Sequence, residues 1–313
     1  MKLQQVLFLA VVVFAICFDR AAADDKTIEP AVLTLVVMDP LCDKLACDCV
    51  EGYAQRKYEV LGAFLTKKLK RPVKVFWGET IESALEGTKA KPHIIVGKHS
   101  VVMAGGKERQ EAYSAIASLT GSKGGVTQTG LIVVRKNDPA QSVSDLKDYR
   151  IFFGPQNCDE KFAAPVNLLK KHGIPVPKKL EISGACSEAA TKLVELDSKV
   201  KAAAIISSYA EPLLAGCGTI KKGDLRVIGT SEKVPFVVAF VNNRLSDATR
   251  KSVADSLFET GAHPELTTAL QSLIGFVPSE MPKKELAAKP QSIVSGGTKN
   301  VEAKAPTITL KKK

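Results

Sequence analysis

Short apolar runs alternate with amphipathic helical patterns along most of this sequence, from Thr34 onward. The apolar run Leu33–Val37 has the length and composition of a buried strand. After a cysteine-containing loop, Leu61 and Phe64 begin an i, i+3, i+4 spacing on one face of the segment Val50–Lys70, which predicts a helix. Such alternation is typical of βαβ units arranged around a mostly parallel sheet, with helices flanking it. The sequence therefore predicts an α/β fold.

The same pattern predicts the remaining elements. Glycine, proline and Asp-Pro turns separate them. Strands are predicted over 73–77, 93–97, 112–119, 130–135, 150–153, 180–183, 202–206, 225–230 and 235–241, and helices over 81–86, 159–172, 187–198, 209–215, 247–261 and 264–273, with one helical turn at 144–148.

Composition and charge narrow the function classes. The chain has 313 residues, 45% of them apolar and 25% charged, which suits a globular protein of two domains. Its formal charge is +11, but eight lysines and two glutamates within 281–313 account for +6, and residues 1–23 account for +1. The remaining body carries only +4, so no nucleic-acid partner is expected. The lysine-rich segment 281–313 lacks apolar periodicity, which predicts a disordered tail.

The first 23 residues have the pattern of an export signal. Lys2 precedes the apolar run Val6–Cys17, and Ala21–Ala23 provides an A-x-A cleavage site. Twelve apolar residues are too few to span a bilayer, which needs about 20. We expect a cleaved signal peptide and a mature protein in the periplasm or outside the cell.

Over roughly Leu33 to Phe276, the sequence resembles a known family. The run Thr129–Arg135, the segment Ser144–Lys147 and the run Arg150–Pro155, followed by Pro165, are similar to those of the PhnD-type phosphonate/phosphate substrate-binding proteins of ABC transporters. These are type 2 periplasmic binding proteins. The resemblance implies a non-enzymatic, monomeric protein that binds a ligand in a cleft between two lobes and serves an ABC permease in the inner membrane.

The resemblance also implies where the lobes divide. Residues 24–128 and 236–280 would form lobe 1, and residues 129–235 would form lobe 2. The chain would cross between the lobes near 125–130 and near 234–240. These two crossings would act as a hinge that closes on the ligand.

Candidate ligand contacts follow from a general rule for α/β sheets, here called the strand-end rule, which does not depend on the family resemblance. In open α/β sheets ligands bind beyond the carboxyl ends of the strands, where helix N-termini present unpaired N–H groups. For an oxyanion, serine and tyrosine side chains are suitable neutral donors, while Lys98 and His99 supply charge. Ser187 and Ser208 have an alternative interpretation as simple helix N-caps. The candidate ligand-binding residues are Asp39, Lys98, His99, Ser100, Asn157, Cys158, Asp159, Ser187, Ser207, Ser208 and Tyr209.

One segment departs from the family pattern. The relatives have a small, hydroxyl-rich segment where this chain has Asn157–Glu160, and we expect its two carboxylates in the first turn of a helix. There they would satisfy the helix dipole and repel a dianion. This favours a ligand with a cationic part, a metal complex, or an anion held mainly by lobe 1.

The cysteines leave two interpretations open. Without Cys17 the mature chain has six, an even number that favours disulfides in an oxidising compartment. One interpretation is a bridge in each lobe, Cys42 with Cys47 or Cys49, and Cys186 with Cys158 or Cys217. The other is that cysteines near the cleft bind a soft metal or serve redox chemistry.

The function expected from the sequence is capture of a small oxyanion, such as phosphonate, phosphite or phosphate, for an ABC importer. No cofactor and no resident metal are expected. The alternative is a periplasmic accessory protein that binds a metal or aids maturation of an oxidoreductase through its cleft cysteines.

Overall fold

A computed structural model describes residues 27–45 and 55–279. All of them belong to one compact unit that ends at Ser279. The expected signal peptide and lysine-rich tail lie outside the described residues. Among the helices of these two ranges, none combines the length and apolar composition needed to cross a membrane.

Strands and helices alternate along the chain as the pattern predicts. In chain order the elements are β1 Leu33–Met38, α1 Tyr58–Leu69, β2 Val73–Trp77, α2 Ile81–Leu85, β3 Ile94–Lys98, α3 His99–Glu108, β4 Tyr113–Leu119, β5 Thr127–Gln128, β6 Gly130–Arg135, β7 Arg150–Phe153, α4 Ala163–Lys171, β8 Glu181–Ile182, α5 Cys186–Glu195, β9 Ala202–Ser207, α6 Ala210–Gly216, β10 Leu225–Thr230, β11 Val234–Pro235, β12 Val237–Asn242, α7 Asp247–Phe258, α8 Pro264–Ala269 and β13 Phe276–Pro278.

The strands form two main sheets, one in each lobe. The sheet of lobe 1 has the order β13-β4-β12-β3-β1-β2, and that of lobe 2 has the order β10-β6-β9-β7-β8. Both are mixed rather than mostly parallel. In lobe 1, β12 returns from the second crossing and inserts antiparallel between β3 and β4. In lobe 2, β6 pairs antiparallel with both β9 and β10.

Each sheet is covered on both faces, because alternate residues of a strand point to opposite sides. In lobe 1, Leu35 and Val37 pack against α1 residues such as Leu61, whereas Val36 packs in a separate cluster with Ile81 of α2. The sheet of lobe 2 likewise separates two apolar clusters. Each lobe therefore has its own hydrophobic core.

The two crossings between the lobes lie side by side. Strands β5 and β11 pair antiparallel, with Val234 opposite Gln128 and Pro235 opposite Thr127. This two-stranded ribbon links the main sheets, and it lies where the resemblance implies a hinge.

Helix α3 has no counterpart among the predicted elements. It spans His99–Glu108 and contains Gly105 and Gly106, which weaken helix propensity by about 1 kcal/mol each relative to alanine. Packing stabilises it instead, since Val102 is fully buried beside Met38 and Val36. The tertiary contacts override the local signal.

Candidate functional site

A cavity of about 370 Å³ lies between the two lobes, at the carboxyl ends of their parallel strands. Loops that follow β1, β2 and β3 contribute from lobe 1, and loops that follow β7, β8 and β9 contribute from lobe 2. The strand-end rule therefore predicts the position of the cavity correctly. Its lining comprises Met38, Pro40, Leu41, Leu45, Glu79, Thr80, Lys98, Val101, Pro155, Asn157, Cys158, Lys161, Gly184, Ala185, Cys186, Ser187, Tyr209, Ala210, Leu213 and Leu214.

The predicted ligand contacts divide into two groups. Five of them line the cavity: Lys98, Asn157, Cys158, Ser187 and Tyr209. The other six lie around it without lining it: Asp39, His99, Ser100, Asp159, Ser207 and Ser208. Glu160 and Lys161 belong to the same loop as Asn157 and Cys158, but they are absent from the predicted set.

A buried ion pair joins the lobes beside the cavity. The ammonium of Lys98, at the end of β3, contacts Oε1 of Glu160 from the loop after β7. Only 9% of the Lys98 side chain and 2% of the Glu160 side chain are exposed. Ser207 Oγ also donates to Glu160 Oε1, at 2.9 Å, and Lys98 Nζ lies 3.3 Å from the sulfur of Cys158. The carboxylate is thus held by donors from both lobes.

The pair keeps both of its members charged. Burial by itself raises the pKa of Glu160, but the charge of Lys98 and hydrogen bonds from Lys98, Cys158 and Ser207 lower it to about 2. Burial lowers the pKa of Lys98, but the nearby Tyr209 and Glu160 keep it well above its ordinary value. Burial raises the pKa of the Cys158 thiol to about 12. Cys158 is therefore a neutral thiol rather than a reactive thiolate at neutral pH.

The loop between β7 and α4 is folded by its own backbone. Cys158 N donates to the carbonyl of Pro155 at 3.0 Å, and Lys161 N donates to that of Cys158 at 3.0 Å. Gly130, at the start of β6, allows the loop to approach, because a Cβ there would lie 1.9 Å from the Glu160 carbonyl oxygen. The loop therefore presents Cys158 and Glu160 toward Lys98 of the other lobe.

This loop corrects two expectations about the Asn157–Glu160 segment. Helix α4 begins at Ala163, so Asp159 and Glu160 precede it and do not occupy its first turn. Pro165 lies in that first turn, where proline is tolerated. The Glu160 charge is neutralised by Lys98, so it does not act as the helix-dipole partner that the sequence suggested.

Asp39 stabilises lobe 1 from within. Its Oδ2 accepts from Arg56 Nη1 at 2.8 Å and from Tyr58 OH at 2.6 Å, and its Oδ1 accepts from Leu41 N at 2.9 Å. Asp39 is completely buried, and Arg56 is 4% exposed at its side chain. This carboxylate fixes the loop after β1 and is already fully occupied by partners of its own lobe.

Several polar candidates hold the lobes and the crossings in place. Ser100 Oγ of lobe 1 accepts from the backbone N–H of Asp159 in lobe 2, at 3.1 Å. Ser208 Oγ accepts from Thr129 N at 3.2 Å, next to the first crossing. The buried ring of His99 stacks on Phe240 with a centroid distance of 5.7 Å.

The N-cap interpretation of two serines is wrong. Helix α5 is preceded by Ala185 as its N-cap, and Ser187 lies inside the helix. Helix α6 is preceded by Tyr209, so Ser208 lies one residue earlier. Neither N-cap residue makes a side-chain capping bond, and Ser187 is left at the cavity wall.

Tyr209 links the cavity to the second crossing. Its ring stacks on Phe236, between β11 and β12, with centroids 5.3 Å apart and planes inclined by 19°. The Lys98 ammonium lies 5.6 Å from the Tyr209 ring centroid, and the Arg56 guanidinium lies 5.8 Å from that of Phe236. Two cations and two rings thus form one stack across the cleft.

The disulfide expected in lobe 2 is not formed. Cys158, Cys186 and Cys217 are free thiols, as is Cys42 of lobe 1. Each has a polar neighbour of its own: Cys186 Sγ accepts from Ser207 N at 3.4 Å, and Cys217 Sγ lies 3.1 Å from Thr219 Oγ1. Cys47 and Cys49 lie outside the described residues. Within those residues, no cluster of three or more His, Cys, Asp or Glu side chains is suited to a metal ion.

Lys161 is the cation that sequence reasoning missed. It is 6% exposed, lines the cavity, and donates from Nζ to the carbonyl of Gly184 at 2.9 Å. Its ammonium therefore lies just before α5. No carboxylate of the described chain forms an ion pair with it, unlike Lys98. Gly154 makes room for its stem, since a Cβ at that position would lie 2.3 Å from the Lys161 Cβ.

Comparison with known families agrees with the geometry. A sequence profile described as the periplasmic substrate-binding protein of phosphonate ABC transporters matches residues 52–283, well over half of the chain. The chain belongs to this family. Its members are solute-binding proteins that work with ABC transporters in the periplasm, and the lobes and cleft described above are the architecture of such a protein. No curated protein matches the sequence significantly.

Solved structures share the fold at low sequence identity. A binding protein of an ABC phosphonate transporter from Pseudomonas aeruginosa has a TM-score of 0.59 and 18% identity, over 79% of this chain and 81% of that one. PhnD1 from Prochlorococcus marinus, in complex with methylphosphonate, has a TM-score of 0.59 and 15% identity, over 83% and 96%. A Xanthomonas citri protein bound to ATP has a TM-score of 0.60 and 16% identity, over 80% and 92%.

Proposed function

We propose that this protein captures a small oxyanion, such as phosphonate, phosphite or phosphate, in the cavity between its lobes and delivers it to an ABC permease in the inner membrane. A cleaved signal peptide would export it to the periplasm, where it acts as a monomer. Capture and delivery need no bond-breaking step, so we propose a binding protein and not an enzyme.

The observation that carries this proposal is the position of Lys161. A buried ammonium without a carboxylate partner attracts an anion, because burial without a counter-charge is costly. It lies at the start of α5, a ten-residue helix whose first turn faces the cavity through Cys186 and Ser187. The positive end of a helix dipole favours negative charge there, and the Glu188 carboxylate of the same turn already accepts from Gly184 N at 2.8 Å. Cation and helix terminus together form a site for an oxyanion.

The remaining lining suits a small ligand with a polar head. Asn157 and Ser187 offer side-chain donors around the cavity, and leucine, valine and methionine side chains supply apolar surface. A volume of about 370 Å³ is in the range of small-molecule sites. The methylphosphonate complex of PhnD1 from Prochlorococcus marinus names one ligand of this size and chemistry to test.

Thermal unfolding with added oxyanions tests the proposal. A ligand that binds only the folded protein stabilises it by about 2.7 kcal/mol at 100 times its dissociation constant. We expect methylphosphonate, phosphite or phosphate to raise the melting temperature, and Lys161→Gln to weaken binding about tenfold or more through the loss of a charge-assisted bond. Lys199→Gln, at an exposed lysine of lobe 2, is the matched control. No stabilisation by any of these anions would contradict the proposal.

A further inference from the structure

Four charged side chains lie in the lining of the cavity or directly behind it. Lys98, Lys161 and Glu79 line it, and Glu160 lies immediately behind Lys98 without lining it. Glu79 is exposed, so water screens its charge. Lys98 is neutralised by Glu160. Lys161 is therefore the one buried cation of this group without a counter-charge.

We infer that Glu160 is a specificity-determining residue: by cancelling the charge of Lys98, it makes the cavity select oxyanions with one negative charge over those with two. This inference rests on the proposed function and specifies the net charge of the ligand. It also gives a role to one of the two carboxylates of the Asn157–Glu160 segment, which distinguishes this chain from the family pattern.

The selectivity follows from the cost of burying charge. A dianion that enters the cavity loses more hydration than a monoanion and needs a second cation to compensate. Lys98 is the only other buried cation among the lining residues of the described chain, and its positive charge is already cancelled. The negative charge of Glu160 also repels the ligand, twice as strongly for a dianion as for a monoanion.

Glu160 is held too firmly for the ligand to replace it. Its carboxylate receives bonds from Lys98, Ser207 and the Cys158 thiol, and 2% of its side chain is exposed. Its backbone packs against Gly130, where no side chain fits. A ligand would have to break bonds with both lobes to displace Glu160 from the Lys98 ammonium.

Pairs of probes with similar shape and different charge test the inference. Methanesulfonate is compared with sulfate, and the monomethyl ester of methylphosphonate is compared with methylphosphonate in alkaline buffer, where both acidic protons are lost. Calorimetric titration gives the ratio of monoanion to dianion affinity for each pair. We expect the wild type to favour the monoanion. Glu160→Gln is expected to shift the ratio toward the dianion by about fivefold or more, because it adds one unit of net positive charge.

Two further variants isolate the charge. Glu181→Gln removes an exposed carboxylate of lobe 2, paired with Arg150 away from the cavity, and is the matched control. If Glu160→Gln does not fold, Lys98→Met gives the test with opposite sign: Glu160 then remains unpaired, and the ratio is expected to shift toward the monoanion. Using a ratio removes any change in lobe opening that affects both probes equally.

The outcomes are distinguishable. Oxyanion binding with the same ratio in the wild type and in Glu160→Gln would overturn this inference and leave the proposed function standing. A wild-type preference for the dianion would do the same. Failure of every oxyanion to bind the wild type would overturn the proposed function and this inference together.

Discussion

Two buried ion pairs stand at the edge of the same cavity and have different structural settings. Asp39 and Arg56 both belong to lobe 1, whereas Lys98 and Glu160 come from different lobes. A pair within one lobe stays buried as long as that lobe is folded. A pair between lobes would return to water if the lobes separated. We therefore expect the first pair to contribute to fold stability and the second to contribute to the balance between open and closed lobes.

Removal of the Asp39 carboxylate should have the largest effect. In Asp39→Asn, Arg56 remains buried without a counter-charge, and Tyr58 loses its acceptor. Breaking a buried pair in this way costs about 3–5 kcal/mol, and we expect that loss in the free energy of unfolding measured with denaturant. Asp255→Asn, in an exposed helical pair with Lys251, should cost about 0.5 kcal/mol or less. Equal losses in the two variants would contradict the structural role of Asp39.

Glu160→Gln should cost less stability and change the shape. The unpaired Lys98 can regain water when the lobes separate, so we expect a loss of less than about 3 kcal/mol. We also expect a larger radius of gyration by X-ray scattering without ligand. Glu181→Gln should leave the radius unchanged. An unchanged radius of gyration in Glu160→Gln, with a stability loss as large as that of Asp39→Asn, would contradict the prediction. It would show that both pairs stabilise the fold and that neither affects lobe separation.

Acid should weaken the pair between the lobes in a defined range. The Glu160 pKa is lowered from 4.5 to about 2, so the folded state binds the proton less tightly than the unfolded chain. The stability contributed by this group is fully present above pH 4.5 and is lost as the pH falls toward about 2. The difference in unfolding free energy between wild type and Glu160→Gln should therefore shrink across that range. A difference that stays constant on acidification would contradict a charged, paired Glu160.

The smallest effect is expected from the ring stack. Tyr209→Leu removes the stack on Phe236, and such aromatic pairs contribute about 0.5–1.5 kcal/mol beyond area burial. We expect a destabilisation of that size in denaturant unfolding, with Tyr209→Phe retaining most of the wild-type stability. Phe258→Leu, at a half-exposed ring on α7, controls for the loss of an aromatic side chain. A Tyr209→Leu variant as stable as the wild type would show that the ring stack does not stabilise the fold.

The fold was largely predictable because local and global signals agree for its strands. The runs Val73–Trp77, Gly130–Arg135, Arg150–Phe153 and Leu225–Thr230 have the predicted bounds. Runs of apolar and β-branched residues bounded by turn residues predict strands. Helix α3 was not predictable in this way, because its two glycines weaken the local pattern and only packing stabilises it.

The position of the cavity was predictable, but the charge balance around it was not. The strand-end rule selects the loops that line the cavity from sequence alone. The partner of Lys98 is 62 positions away, in another lobe, and no local pattern reveals that contact. In the sequence, nothing distinguishes Lys161 from a surface lysine. Its burial results from the fold of the loop. For the cysteines, the sequence predicted contacts that do not form. Their even number suggested disulfide bridges, whereas each thiol in the described part of lobe 2 is free and has its own polar neighbour.

The most direct test is a crystal structure with methylphosphonate bound. We predict the phosphonate oxygens within hydrogen-bond distance of the Lys161 ammonium and the first backbone N–H groups of α5, with the Lys98–Glu160 pair intact beside them. A phosphonate bound elsewhere, or one that displaces Glu160 and contacts Lys98 directly, would contradict the account.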